Sequence, residues 1–228
     1  MKTYKDIKYN LQRNNRKTAS IYIERDGEVS LFVPDWLNVQ QIEELIESKR
    51  KWIYTNLAEW EDLNATRVNR EFINGEGFLY LGRSYRLQLV DDQDVDIKLK
   101  DGYFCVRSGE DGIGSAEVFK EFYRQKGRER IPERVALYEA PLGVSADSIR
   151  VQELQNRWGS CTPQGGLCFH WKSMMAPLSV LDYIVVHELS HLKHPNHTAE
   201  FWNEIDKVMP DYHDKKEWLR VNGAGMDL

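Results

Sequence analysis

Three residues have the types and spacing to do chemistry together: His187, Glu188 and His191, in the run Tyr183-Ile184-Val185-Val186-His187-Glu188-Leu189-Ser190-His191. On a helix, histidines four residues apart stand one turn above the other, so their imidazole nitrogens can converge on a single ion, the arrangement that binds zinc. Such an ion, held by neutral rings, keeps its charge, polarises a scissile group and lowers the pKa of a bound water to about 7. Glu188 projects at a different angle from His187. It suits a general base that takes the water's proton and later delivers it to the leaving group, rather than a ligand. The same letters on a surface helix would be coincidence. The apolar run Tyr183 to Val186 instead predicts a buried helix, where two histidines and a glutamate without a metal would be costly.

A third protein ligand is needed. His194 continues the same face but lies a rise of roughly 10 Å from His187, too far to share one ion. Pro195 stops the helix, and His197 beyond it can fold back toward the metal. We take His197 as the third ligand, with His194, Glu200 and Glu204 as the alternatives, and a water in the fourth, open position.

The elements that must position these groups are readable in outline. Ser179 with Asp182 reads as a capping box opening the metal helix, expected to run to His194. Residues 19–24 and 29–33 read as strands about a turn at Arg25 to Glu28, and Pro34-Asp35 as the start of a helix carrying Leu37, Ile42, Leu45, Ile46, Trp52, Ile53 and Leu57. A second hairpin is expected around Gly82, with more strand at Val95 to Leu99 and Tyr103 to Val106. A glycine- and acid-rich linker follows over Ser108 to Gly114. Val118 to Tyr138 reads as a long amphipathic helix. Ile149 to Leu154 and Gly166 to Trp171 read as a hairpin about the turn between Cys161 and Cys168, and two helices close the chain. No internal repeat is visible. The fold class expected is α+β, with an N-terminal β-rich region, residues 1–112, packed on a C-terminal core of helix and sheet, residues 113–228.

Composition restricts the function classes. Of the 228 residues, 41% are hydrophobic and 29% charged, an ordinary globular balance. The net charge of −5 argues against the broad basic surface of nonspecific nucleic-acid binding. The basic stretch Lys8 to Lys17, with Arg13 and Arg16, reads as a solvated strand edge. Three cysteines, Cys105, Cys161 and Cys168, make neither a disulfide scaffold nor a zinc quartet, and Cys161 and Cys168 read as small buried apolar residues. The charged N-terminus lacks the apolar run of a signal peptide, and nowhere are there the ~20 apolar residues of a membrane span, so a cytoplasmic protein is expected.

Around the histidines lie further motifs: Arg157-Trp158-Gly159-Ser160-Cys161, Gly165-Gly166, Ala176-Pro177, Asn196-His197 with Phe201-Trp202, and Met209-Pro210-Asp211-Tyr212. With the Leu181 to Leu192 segment, they resemble the YgjP-like metal-dependent hydrolases, a family of metallopeptidase type. Trp52, the Tyr80 to Arg83 hairpin and the Phe119 to Tyr123 helix extend the likeness over nearly the whole chain. The resemblance implies a zincin fold, His187, His191 and His197 as zinc ligands, Glu188 as the catalytic residue, and peptide or protein as substrate. In such a fold an edge strand near the metal helix pairs with an extended peptide, and Arg157, Trp158 and Gly159 are the candidates for binding substrate. One departure is Phe169-His170-Trp171, where the family pattern leads one to expect an asparagine; His170 is read as structural. His213 either donates to a developing oxyanion or belongs to a loop. Two other functions stay open: hydrolysis of a nucleotide phosphoanhydride at the same site, with Arg157 neutralising phosphate, and a binding module with structural zinc.

Overall fold

The computed structural model of the chain describes residues 1–23, 27–64, 69–108, 116–154 and 157–228, and its fold is α+β. Internal contacts divide the chain into two compact units, Met1–Arg67 and Val68–Leu228. Among the described residues no helix is long and apolar enough to cross a membrane.

The first unit is a four-stranded sheet of β1 (Lys2–Tyr4), β2 (Ile7–Asn14), β3 (Ser20–Ile23) and β4 (Val29–Pro34), followed by the helix α1 (Val39–Asn64). The order is β1-β2-β4-β3, with the central β2 and β4 parallel and the outer pairs antiparallel. Alternation along β2 and β4 turns Ile7, Tyr9, Val29, Leu31 and Val33 inward, where they meet the helical stripe Ile42, Ile46 and Ile53. The helix opens later than Pro34-Asp35, because Pro34 still pairs with Asn14 in the sheet. A reciprocal cap starts it instead: the Gln41 N–H donates to Asn38 Oδ1 at 2.9 Å and the Asn38 N–H to Gln41 Oε1 at 3.0 Å. The basic run falls mainly on β2, an interior strand rather than an edge. Its Arg13 guanidinium donates to the carbonyls of Asp35 and Leu37 at 3.0 and 2.7 Å, fastening the bend that leads into α1. The turn expected at Arg25 to Glu28 lies partly outside the described residues.

In the second unit β5 (Gly77–Tyr80), β6 (Arg83–Val90), β7 (Ile97–Lys100) and β8 (Tyr103–Arg107) form a sheet of order β5-β6-β8-β7, followed by the helix α2 (Ala116–Leu142). Again the central pair is parallel and the outer pairs are antiparallel. The arrangement of the first unit is thus repeated, strand for strand and helix for helix, although no sequence repeat announces it. The glycine-acid run that suggested a division at 112/113 lies, from residue 109 on, outside the described residues. On its two sides Phe78 stacks on Phe119 at 4.1 Å between ring centres, and Phe104 meets Phe122 edge-on at 5.2 Å. Those aromatic contacts hold β5–β8 and α2 in one unit.

A three-stranded sheet follows, of β9 (Ser148–Gln152), β10 (Gly159–Cys161) and β11 (Gly166–His170), in the order β10-β11-β9. The hairpin is β10 with β11; β9, expected as one of its arms, lies on the other side of β11 and parallel to it. Cys161 pairs with Leu167 and Cys168 with Ser160, so the two cysteines are offset. Both are free and half-buried rather than buried.

Then come α3 (Leu178–Ser190), α4 (Ala199–Val208) and α5 (Tyr212–Asn222). Every residue of α3 from Val180 to Val186 is buried, as expected of a helix apolar on all sides. Two fixings set its entry and its rotation. At the β5–β6 turn the N–H groups of Leu81 and Gly82 donate to Met174 and Met175 carbonyls, at 2.9 and 3.0 Å. A Cβ on Gly82, whose φ is +78°, would lie 2.8 Å from Pro177 Cγ, so the turn presses on the residue that precedes α3. Asp182 does not cap the helix, which begins at Leu178 with no side-chain cap. It receives instead a two-pronged contact from Arg134 of α2, Nε to Oδ1 at 2.6 Å and Nη2 to Oδ2 at 2.7 Å. Replacing Arg134 by alanine strips the largely buried Asp182 carboxylate of its guanidinium partner and is expected to destabilise this unit by about 2–3 kcal/mol in denaturant unfolding. A loss under about 0.5 kcal/mol, the scale of an ordinary surface substitution, would show that the pair does not hold α3.

Candidate metal centre

The α3 helix ends at Ser190, earlier than Pro195, so His191 lies at the helix cap with the chain already turning. That turn aims its ring. The His194 carbonyl, which can only accept, lies 3.1 Å from His191 Nδ1; the proton is therefore on Nδ1, and Nε2 keeps its lone pair for an ion. His197 follows the turn and precedes α4, and its Nε2 comes within 3.0 Å of His187 Nε2. One nitrogen from each of His187, His191 and His197 lies within 4.8 Å of the others, and this is the one such group of three or more donors among the described residues. Nitrogens bound to one tetrahedral zinc would be about 3.3 Å apart, so these side chains fit a metal with little movement. His194 contributes its carbonyl to the centre, not its ring. Glu200 is exposed, and Glu204 is taken by lysines.

A buried aromatic floor supports the rings. Phe201, fully buried, has its ring centre 5.0, 4.6 and 4.8 Å from those of His187, His191 and His197. Trp202 stacks on His197 at 5.6 Å, and Tyr212 on Trp202 at 5.5 Å. Burial first, then the neighbouring imidazoles and the Lys216 ammonium, hold His187 down to about 3 and push His197 down as well. The neutral ring a metal requires is therefore the form that prevails at neutral pH. His187 Nδ1 is buried and has no hydrogen-bond partner among the described residues.

Glu188, one residue along α3, is buried against β10. A Cβ on Gly159 would lie 2.6 Å from both Glu188 Cγ and Oε1, so only glycine leaves room for this carboxyl. Burial pushes Glu188 up to about 8, against a downward pull from the Arg157 guanidinium. The Cys161 thiol, pushed up by burial and then by Glu188, belongs to the same neighbourhood. Among the described residues no strand pairs with the outer side of β10. The His170 N–H donates to the Trp158 carbonyl and the Thr162 N–H to the Gly166 carbonyl, so the alternating pattern turns the amide groups of Gly159 and Cys161 away from β11.

Of the substrate candidates, the structure thus brings Gly159 against Glu188. Arg157 is exposed and acts on that carboxyl through its charge; Trp158 is half-buried and its ring lies 6.3 Å from that of His170. His170 itself is buried, and its Nδ1 accepts from the Lys172 N–H at 3.1 Å at the start of the short 3₁₀ turn Trp171–Met175, a structural use. His213 is exposed and stacks on Tyr212 at 4.0 Å. Phe201, Lys216 and the Glu204 tie were not foreseen as parts of the centre. The signals for Phe201 are its place four residues after His197, one helical turn on, and its membership of the Asn196-His197 and Phe201-Trp202 motif.

Glu204 of α4 holds the turn after α3. It accepts from Lys193 at 2.7 Å and Lys207 at 2.8 Å, and these two lysines bring its carboxyl down to about 2.

The family model described as "YgjP-like, metallopeptidase domain" matches residues 17–222. No curated protein matches the chain. Among solved structures, the chain is similar to one titled the crystal structure of the metallopeptidase zymogen of Pyrococcus abyssi abylysin, with 19% identity and a TM-score of 0.39 over 43% of this chain and 99% of that one.

The Glu204 tie predicts a specific acid response. A carboxyl whose folded pKa is depressed contributes stability that is complete above its ordinary value of 4.5 and lost as pH falls toward about 2. The wild type is therefore expected to lose more stability between pH 5 and 2 than Glu204→Gln does, measured by urea unfolding at each pH. Parallel pH profiles for the two proteins would refute the tie.

Proposed function

The chain belongs to the YgjP-like metallopeptidase family, a family of metal-dependent hydrolases, and on that premise we propose that it is a zinc-dependent peptidase. In this reading His187, His191 and His197 hold the ion and Glu188 moves the proton. The observation that carries it is the convergence of three imidazoles beside a buried carboxyl that one glycine makes room for. Three neutral nitrogen donors suit zinc, and the absence of a fourth protein donor from the group among the described residues suits a catalytic centre rather than a closed structural one.

When bound, the ion supplies Lewis acidity to the scissile carbonyl and to a water. The rest is done by side chains and backbone. Glu188 accepts the water's proton and hands it to the departing amine, a role that requires its carboxyl to stay at one fixed distance from the reacting atoms. Gly159 keeps it there. An extended peptide pairs with the open edge of β10 through the Gly159 and Cys161 amide groups, which brings its backbone alongside the carboxyl that transfers the proton. Arg157 and Trp158, at the approach to that edge, contact the substrate.

The first test is metal content and hydrolysis measured on the same preparations. Wild type and Glu188→Gln are expected to carry about one zinc per chain, and His197→Ala substantially less, since a structural imidazole nitrogen is lost. Unfolded protein is expected to be cleaved by the wild type and not by Glu188→Gln. Cleavage of nucleoside triphosphates in place of protein would replace peptidase by phosphoanhydride hydrolase, and full zinc in His197→Ala would remove the third ligand. Gly159→Ala forces Glu188 aside; it is expected to retain zinc and lose about a hundredfold in kcat, and an unchanged kcat would show that the Gly159 contact does not position the base.

A further inference from the structure

Most lysines around the metal centre are neutralised. Lys193 and Lys207 share Glu204, and Lys215 pairs with Asp211. Lys216, exposed on α5 one turn after Tyr212, has no acidic partner among the described residues. Its ammonium lies 4.3 Å from the centre of the Trp202 ring, and that ring stacks on His197. A cation–π contact at an exposed site contributes only about 0.5–1 kcal/mol. The same ammonium works against the centre it adjoins, since it adds to the forces that depress His187 and His197 and would repel a bound dication.

Across the centre, Arg157 is likewise exposed and without an acidic partner among the described residues, and its charge acts on Glu188. Two cations outside any ion pair among the described residues therefore stand at the site, one acting on Glu188 and one by the third histidine, in a chain whose net charge is −5. Against a neutral substrate this local field gains nothing; against an anionic one it raises the encounter rate and fixes the register. The outer edge of β10 favours a peptide over a nucleotide as the carrier of that charge, because the amide groups that face away from β11 match a polypeptide backbone.

We propose that the site selects acidic peptides, with Lys216 as a specificity-determining residue that receives a carboxylate side chain next to the scissile bond and Arg157 assisting from the β10 side. The proposal rests on the peptidase reading above, and its test is built on binding so that the two can fail separately. The full-length, zinc-loaded Glu188→Gln protein is titrated calorimetrically with two peptides that differ only in glutamate or glutamine beside the scissile bond, and with adenosine triphosphate. The glutamate peptide is expected to bind about tenfold more tightly, a difference of the size one charge pair supplies. Adding Lys216→Met should abolish that preference, and Lys216→Glu should transfer it to a lysine-containing peptide. Zinc content and melting temperature, read on each variant, show that the site is still assembled.

A glutamate preference that survives Lys216→Met overturns the proposal, as does equal binding of the two peptides by the parent protein. Dependence on Lys216 seen for the triphosphate and not for the glutamate peptide overturns the acidic-peptide selection in favour of phosphate. A Lys216-dependent glutamate preference in a protein whose wild type cleaves no peptide would sustain the selectivity and remove the peptidase reading.

Discussion

Glu188 and Gly159 meet so closely that a methyl group cannot be added between them, and that contact governs how α3 may be turned about its axis. Rotating the helix to relieve it would swing His187 away from His197, because Glu188 and His187 leave neighbouring positions of one helix about 100° apart. In the proposed mechanism, metal ligation and proton transfer are therefore set by a single rotational coordinate. The strand carrying Gly159 is also an edge strand of its sheet among the described residues, so a peptide docked there as proposed would share one rigid reference with Glu188.

The remainder of the second unit maintains that coordinate. Arg134 grips Asp182 from α2, and the β5–β6 turn bears on Pro177 at the head of α3. At the other end Lys193 and Glu204 tie the turn after His191 to α4, while Phe201 fills the space beneath all three rings. The contacts at the head of α3 join segments far apart in the chain and those at its end join the turn to the next helix, so a helix with no side-chain cap of its own is nonetheless fixed at both ends.

How much of this could be read in the sequence follows from the range of the interactions. The spacing of His187, Glu188 and His191 is a local property of a helix, and His197 lies just past a proline, so their convergence was legible; so were the strands and most helices, whose periodicities are equally local. What was not legible depends on distant partners. Asp182 looked like a cap because its true partner, Arg134, lies on another helix; Glu204 stood among the alternatives to His197 because Lys193 could not be placed beside it. Gly159 was read as a substrate-binding residue; that its lack of a side chain also leaves room for Glu188 could not be read without the fold. The basic run around Arg13 was taken as an edge because two strands that flank it, β1 and β4, are joined only by the fold.

The repeated order of strands and helix also bears on the sequence of events at the ribosome. Both four-stranded sheets and their helices are complete by residue 142, whereas α3, α4 and α5 begin at residue 178. Hairpins of short sequence separation form quickly, and segments made early fold as units while synthesis proceeds. The segments that receive α3, the β5–β6 turn and α2, are thus synthesised before the histidines, and the core they share with α3 closes only once that helix is made.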